Sequence, residues 1–290
     1  MVGEADRVVV VDTETTGVYP SDRVVEIAAV TLDVWGNVID RWETLVNPKR
    51  DVGATCIHGI TNEMLVHAPA FEDIAGALAT RLHGAAIAAH NLPFDRRMLM
   101  AEFGRIGLAA ELGTGLDTLR VTGGKLSVVC AQYGIPLSNA HCALHDALAT
   151  AQLLIFVASR TQGSTRPAQM PSGLVSIARV VRRSDLVGPM VIKVPDPPFL
   201  AQLAVQLDHA TETDPAIVAY LDVLDRALAD LHLEPEEKRQ LAVIGAQHGL
   251  TMQQIAATHR RYVNELIDAA FEDHLVTADE YEQLARIARA

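Results

Sequence analysis

The first stretch whose side chains could bind a metal or act in catalysis is VVVVDTETTG, in which four valines are followed directly by Asp12 and then by Glu14. Side chains two positions apart in an extended segment point to the same face, so both carboxylates should lie on one side of a sheet. Two like charges held this close repel each other, and a bound cation is the simplest remedy. The pattern therefore predicts a metal site at the end of a buried strand.

Two later clusters carry the same kinds of residue. HNLPFD places Asp95 just inside a predicted helix, with Asn91 as its candidate cap. HCALHD places His141 at or before another helix start and Asp146 in the first turns of that helix. Each cluster alone is an ordinary helix start, but three of them at strand ends and helix starts together favour a catalytic site.

The elements that must position these residues change character along the chain. Segments 7–12, 24–33 and 38–47 are rich in β-branched and aromatic residues and have short connections, which predicts an antiparallel meander. The segments that follow are helices 71–83, 94–107, 125–134 and 142–158, with a short buried strand at 85–90. A meander followed by alternating strands and helices predicts an α/β or α+β domain with a mixed sheet flanked by helices, and we take the α/β class as the expectation.

The length of 290 residues indicates more than one domain. We assign the α/β domain to 1–160 and a second, all-α domain to 197–290. Between them, 161–196 begins with Gly, Pro, Ser and Thr, which is linker composition. Within that stretch, 175–194 has no assigned structure, and a hairpin and a docked strand both remain open.

Start signals for helices recur in the C-terminal part. Asp214 followed by proline predicts an N-cap and first turn, and capping boxes begin at Thr251 and Thr277. Segment 227–241 also aligns weakly with 270–284, which indicates a duplicated helix–turn–helix unit. A calcium loop is disfavoured, because the spacing does not match the glycine-containing EF-hand loop.

Charge and cysteine content narrow the class of protein. The net charge is -12, with 12 basic and 18 acidic residues in 1–160 and the same numbers in 161–290. Such a surface disfavours non-specific coating of duplex nucleic acid but leaves room for a local, metal-neutralised phosphate site. Cys56, Cys130 and Cys142 lack CxxC spacing, which fits a reducing compartment. Without a signal-peptide pattern or a membrane-length apolar run, we expect a cytoplasmic protein with no membrane partner.

With these motifs the chain strongly resembles the DEDDh family of DnaQ-like 3′→5′ exonucleases, which have a ribonuclease H-like fold. The family motifs D-x-E-T-T-G, N-x-x-F-D and H-x-A-x-x-D stand here as DTETTG, NLPFD and HCALHD. The flanking RVVEIAAV, LVNP, IHGIT and LDTL agree as well, and the resemblance covers about residues 7–158. Proofreading epsilon subunits of DNA polymerase III belong to this family. The C-terminal part faintly resembles TerB-like helical domains.

The resemblance implies a site for phosphodiester hydrolysis with two Mg²⁺ or Mn²⁺ ions, which lie roughly 3.5–4 Å apart in such sites. It implies that Asp12 bridges both ions. Glu14 and Asp146 would complete the shell of the ion that holds the attacking water. Asp95 would act partly through water ligands of the second ion. His141 is the implied general base, because a neutral imidazole can accept a proton near physiological pH.

The resemblance also implies a pocket for the 3′-terminal nucleotide. The backbone around Glu14 and Thr15 would meet that nucleotide, and Ile57, His58 and Phe94 would border its base. Apolar and aromatic faces stack on any base, which suits a sequence-tolerant enzyme. Ile57 and Phe94 are equally compatible with a role in the core.

The main expectation is an exonuclease that releases nucleoside 5′-monophosphates from single-stranded or frayed DNA 3′ ends, in proofreading or repair. Its expected partner is a DNA polymerase subunit or another protein, bound through the helical domain. One alternative is an exoribonuclease of the same superfamily. Another is a scaffold whose helical domain binds a polymerase or stress partner. The arginines Arg179, Arg182 and Arg183 fit either a phosphate contact or, more ordinarily, a solvated turn or strand edge.

Overall fold

The computed structural model describes residues 5–137, 140–158, 165–174, 179–186, 203–204, 207, 209, 212, 214–228, 235–271 and 281–285. A five-stranded sheet has the order β3-β2-β1-β4-β5. Its strands are β1 (Val8–Thr15), β2 (Val24–Leu32), β3 (Val38–Leu45), β4 (Ala86–Ala89) and β5 (Leu116–Asp117). β1 pairs antiparallel with β2 and parallel with β4, which confirms the predicted meander and mixed sheet.

Helices cover both faces of the sheet and fill its connections. In the first 160 residues they are α1 (Thr55–His58), α2 (Asn62–Leu65), α3 (Phe71–Leu82), α4 (Leu92–Arg105), α5 (Thr118–Thr122), α6 (Leu126–Tyr133) and α7 (Ala143–Val157). After a 3₁₀ turn at Arg183–Leu186, the longer helices are α8 (Pro215–Ala227), α9 (Pro235–Gln247) and α10 (Met252–Ala270). The predicted ribonuclease H-like sheet flanked by helices, with a further helical region, is confirmed.

The two faces of β1 pack against different helices because successive side chains alternate across a strand. Val9 and Val11 belong to a cluster that includes side chains of α3 and α4. Val8 and Val10 pack with the small residues of α7. This alternation decides which helix each polar residue further along β1 will face.

The C-terminal helices begin where two of the predicted caps lie. The Asp214 side chain accepts a hydrogen bond from the main chain at the start of α8, and Thr251 forms the expected capping box at the start of α10. The box at Thr277 lies outside the described residues, as does much of the repeat pairing 227–241 with 270–284. The proposed domain boundaries remain predictions.

Part of the unassigned segment packs against the sheet. Val181 O accepts a hydrogen bond from Leu45 N at 2.7 Å, and Val181 N donates to Thr44 Oγ1 at 3.1 Å. Within 179–186 the chain therefore docks on β3 through Val181, but these residues form a 3₁₀ turn and no strand, so the docked strand left open by the sequence is not formed there. None of the helices in the described part of the chain has the length and apolar character needed to span a membrane.

Candidate active site

The central strand delivers the first two carboxylates to the face covered by α7. Asp12 and Glu14 share the parity of Val8 and Val10, and Asp12 is the one position of β1 that is only partly buried. Asp146 lies in the first turn of α7. Atoms of Glu14, Asp146 and His141 that could hold a cation all lie within 4.8 Å of one another.

Asp95 reaches the cluster from the opposite face of β1. Thr13 has the other parity and is buried, so its hydroxyl points toward α4. Thr13 Oγ1 donates a hydrogen bond of 2.8 Å to Asp95 Oδ1 in the first turn of that helix. The two faces of one strand therefore bring carboxylates from two helices to the same end of the sheet.

His141 lies just before α7 in a left-handed conformation, with φ of 63°. Its N–H donates to Asp146 Oδ2 at 3.0 Å, and its carbonyl accepts from Arg183 Nη2 at 3.0 Å. His141 Nδ1 is buried and makes no hydrogen bond with any described residue. The loop is thus fixed through its backbone, while one ring nitrogen keeps its bonding capacity.

Burial dominates the electrostatics of these groups. Burial, followed by repulsion from Asp146, raises the pKa of Asp12 well above its usual range. Burial raises the pKa of Glu14 to about 8, that of Asp95 to about 7 and that of Asp146 to about 6. Burial also lowers the pKa of His141 to about 4. Without a cation, burial therefore favours the neutral form of these carboxyl groups, most strongly at Asp12 and Glu14, and leaves the His141 imidazole neutral.

The donor set fits a hard divalent cation. Glu14 Oε1 and Asp146 Oδ1 are buried, and among the described residues neither accepts a hydrogen bond. Buried carboxylate oxygens without donors are costly unless a cation satisfies them. Oxygen ligands are also the type that Mg²⁺ and Mn²⁺ prefer.

The four predicted substrate residues are dispersed around this cluster. Ile57 lines a cavity of about 250 Å³ together with Asp12. Thr15, His58 and Phe94 are buried, and Phe94 belongs to the main apolar cluster. The structure therefore brings Ile57 to the cavity, while Phe94 also serves the core.

Sequence reasoning did not identify one buried ion pair next to the site. Glu26 lies directly opposite Glu14 across the β1–β2 pair, where like charges are destabilising. Arg183 neutralises the Glu26 carboxylate by donating two hydrogen bonds of 2.7 Å to it. The expectation of a solvated turn or phosphate contact is therefore wrong for Arg183. No motif marks it, because its partner is 157 residues away in sequence.

A second set of missed residues comes from α8. Arg226 lies 3.8 Å from Glu14 Oε2, and Asp222 accepts a hydrogen bond from Asn91 Nδ2 at 3.1 Å. The expected capping role of Asn91 is wrong, since Asn91 precedes α4 at φ of 71° and its side chain makes no cap bond. Asp222 and Arg226 have the i, i+4 spacing of an ordinary surface pair, so the sequence gives no sign of their burial.

The fold and this carboxylate cluster together define the ribonuclease H-like class of α/β proteins with a cation site at the central strand. Residues 9–154 match the family model RNase_T, described as exonuclease, and the chain belongs to that family. The family expected from the three motifs is thereby confirmed.

Relatives and solved structures match the same half of the chain. It is 37% identical over 177 residues to a DNA polymerase III subunit epsilon-like protein of Rhodobacter capsulatus, covering 54% of this chain and 25% of the relative. It is 34% identical over 160 residues to a PolC-type DNA polymerase III of Bacillus cereus, covering 51% and 11%. It therefore spans a quarter or less of these relatives' lengths. A structure of exonuclease I is 22% identical with a TM-score of 0.48, covering 54% of this chain and 41% of that one.

Proposed function

We propose that this chain is a metal-dependent 3′→5′ exonuclease that hydrolyses DNA from its 3′ end to nucleoside 5′-monophosphates. The observation that carries the proposal is the convergence of Glu14, Asp146 and His141 at the end of the central strand, in a member of an exonuclease family. DNA is the preferred substrate because both relatives are named for DNA polymerase III. The small, acidic cavity suits a single-stranded or frayed end better than intact duplex.

Asp12, Glu14, Asp95 and Asp146 would hold the cations. Two Mg²⁺ or Mn²⁺ ions, when bound, supply an activated water and neutralise charge on the phosphate. Asp12 is assigned to both ions. Glu14 and Asp146 would help to hold the ion that activates the water, and Asp95 would help to hold the other, partly through water ligands.

His141 would accept the proton of the attacking water. Its lowered pKa, about 4 because of burial, leaves the imidazole neutral at physiological pH. The hydrogen bond from its own N–H to Asp146 holds the residue beside the carboxylates.

The terminal nucleotide is assigned to the cavity that Ile57 and Asp12 line. The backbone around Glu14 and Thr15 would meet that nucleotide, and Ile57, His58 and Phe94 would border its base. Burial lowers the pKa of His58 to about 3, so this imidazole adds no charge to the pocket.

The test uses the purified chain with single-stranded DNA labelled at either end, in Mg²⁺, Mn²⁺ or EDTA. We expect metal-dependent shortening from the 3′ end with release of mononucleotides. Asp12→Ala should abolish cleavage without changing the circular dichroism spectrum, whereas Asp6→Ala, at a 78% exposed carboxylate, should cleave normally. Turnover by Asp12→Ala would refute the metal assignment.

An RNA oligomer of the same sequence separates the two polymers. Faster cleavage of RNA than of DNA would replace the DNA assignment with the exoribonuclease alternative. If neither polymer is cleaved with any metal, the scaffold alternative gains weight.

We assign the helical region to a protein contact, with a DNA polymerase subunit as the expected partner, since the relatives are named for polymerases. Three cysteines without CxxC spacing support a reducing, cytoplasmic location. Co-purification of the full chain with the replicative polymerase of the same cell tests the contact; a chain that elutes alone at micromolar concentration would count against it.

A further inference from the structure

Helix α8 lies over the catalytic cluster. The cavity of about 250 Å³ at the end of β1 is walled on one side by residues of the exonuclease half and on the other by residues of this helix. The α8 residues in its wall are Asp222, Asp225 and Arg226. A helix from outside the family match therefore forms part of the site.

Arg226 occupies the place where positive charge is needed. Its side chain is 19% exposed, and its Nη1 lies 3.8 Å from Glu14 Oε2. Its guanidinium carbon lies 4.9 Å from the centre of the Phe94 ring. The arginine thus meets both a proposed metal ligand and the ring assigned to the border of the base.

The contacts of Arg226 with carboxylates are longer than those of Arg183 and Arg23, two other arginines paired with buried glutamates. Its two ion pairs, with Glu14 and Asp222, measure 3.8 and 3.9 Å, and within the described chain its Nε makes no hydrogen bond. Arg183 instead holds Glu26 with two bonds of 2.7 Å, and Arg23 holds Glu102 with bonds of 2.8 and 3.0 Å. A guanidinium that fixes a carboxylate permanently uses the short, two-pronged geometry. Arg226 places a positive charge near Glu14 but lacks that short, two-pronged geometry. Its contacts are those expected of a cation that can be displaced.

The rest of α8 is unfavourable to a nucleic acid strand. Asp222 and Asp225 turn carboxylates toward the cavity, where an entering phosphate would meet them. The same two residues anchor the helix, Asp222 through Asn91 at 3.1 Å and Asp225 through Lys125 at 2.5 Å. These anchors close the site and at the same time repel its substrate.

We propose that Arg226 is the access-determining residue of this site: it acts as a resident counter-cation for the catalytic carboxylates and must leave before metal ions and a 3′ nucleotide can bind. The described arrangement is the closed one, and metal ions must displace the arginine whether they bind alone or together with a 3′ end. This inference rests on the proposed function for the identity of the substrate but not for the competition with metal.

The first test measures Mn²⁺ binding to the full chain by electron paramagnetic resonance, with no nucleic acid present. Arg226→Met keeps an unbranched side chain over Phe94 and removes the charge, so Mn²⁺ affinity should rise on the order of tenfold or more. Arg226→Lys keeps the charge and should stay close to wild type. Arg166→Ala, at an exposed arginine outside the cavity, controls for net charge. Unchanged or weaker Mn²⁺ binding by Arg226→Met overturns the proposal.

The second test measures binding of a fluorescent single-stranded DNA oligomer in Ca²⁺, which allows binding while slowing cleavage. Arg226→Met should bind the 3′ end more tightly than wild type, by a factor similar to that for Mn²⁺. Weaker binding would make Arg226 a substrate contact and overturn the proposal. Tighter Mn²⁺ binding in a protein that cleaves no DNA would instead retain the role of Arg226 and reject DNA as substrate.

Discussion

Arg183→Ala provides the sharpest test of how the site is built. Arg183 joins three backbone or side-chain groups that approach from different parts of the chain. It holds the Glu26 carboxylate with two bonds of 2.7 Å, the carbonyl of His58 at 2.5 Å and the carbonyl of His141 at 3.0 Å. Glu26 also accepts a hydrogen bond from Ala143 N at 2.9 Å. The Arg183–Glu26 pair therefore contacts the chain at His141 and again at Ala143, two residues further on.

The loss of stability expected for Arg183→Ala follows from the buried Glu26 carboxylate that the substitution leaves unpaired. Glu26 has a side chain only 1% exposed and would lose its counter-charge while still facing Glu14. Removing one partner of a buried pair costs about 3–5 kcal/mol. Because Arg183 is itself 23% exposed, water can refill part of the space, and we expect about 3 kcal/mol, the lower end of that range. That corresponds to a melting temperature lower by roughly 6 °C or more.

Catalysis should suffer beyond the loss of stability. A base displaced by about 1 Å lowers turnover by up to about 100-fold. We expect kcat to fall while KM for a DNA oligomer changes little, because Arg183 touches the loop of His141 and lies outside the cavity wall. Arg183→Lys keeps the charge without the two-pronged geometry and should recover stability more than kcat.

The neighbouring Arg182 supplies a matched control. Its side chain is 44% exposed and lies 3.7 Å from the carboxylate of Glu43. A long, exposed ion pair contributes little, so Arg182→Ala should melt and turn over almost as wild type. Kinetics at a temperature well below both melting points separate the two effects. If Arg183→Ala matches Arg182→Ala in both melting temperature and kcat, then the Arg183–Glu26 pair does not hold the loop and the reasoning is wrong.

Three further predictions concern the same half of the chain. Burial raises the folded-state pKa of Glu14 to about 8 and that of Asp95 to about 7. Without metal the folded protein therefore binds these protons more tightly than the unfolded chain, and the stability this provides in acid is lost as the pH rises through 7–8. Mn²⁺ needs the charged carboxylates, and the thermal shift it causes should be larger at pH 8 than at pH 6 by scanning fluorimetry; equal shifts would contradict the raised values. Thr13→Val removes the buried hydrogen bond to Asp95, so it should lower the free energy of unfolding by about 1–3 kcal/mol and weaken Mn²⁺ binding measured by calorimetry. Thr13→Ser keeps the hydroxyl and should retain both stability and Mn²⁺ affinity. Normal Mn²⁺ binding by Thr13→Val would show that this bond does not support the site. Glu102→Gln loosens the buried pair with Arg23 and should lower the melting temperature without changing Mn²⁺ affinity, so a change in affinity would show that the two regions are coupled.

The parts of the site that the sequence predicts are those that depend on local rules. The alternation of β1 places Asp12 and Glu14 on one face, and the first turn of a helix places Asp146. These positions follow from strand and helix periodicity, which a single sequence displays. The left-handed φ of 63° at His141 does not follow, because it is imposed by bonds to Asp146 and Arg183.

The contrast between Glu14 and Glu26 shows why the remainder could not be predicted. Both are buried glutamates, and they face each other across neighbouring strands, so local sequence treats them alike. Distant residues make them different: Arg183 satisfies Glu26 with short bonds, while Arg226 approaches Glu14 no closer than 3.8 Å. One carboxylate is thereby committed to the structure, and the other keeps an oxygen without a hydrogen-bond donor among the described residues. Of the two facing carboxylates, Glu26 therefore anchors the structure, while Glu14 keeps an oxygen that a cation can satisfy.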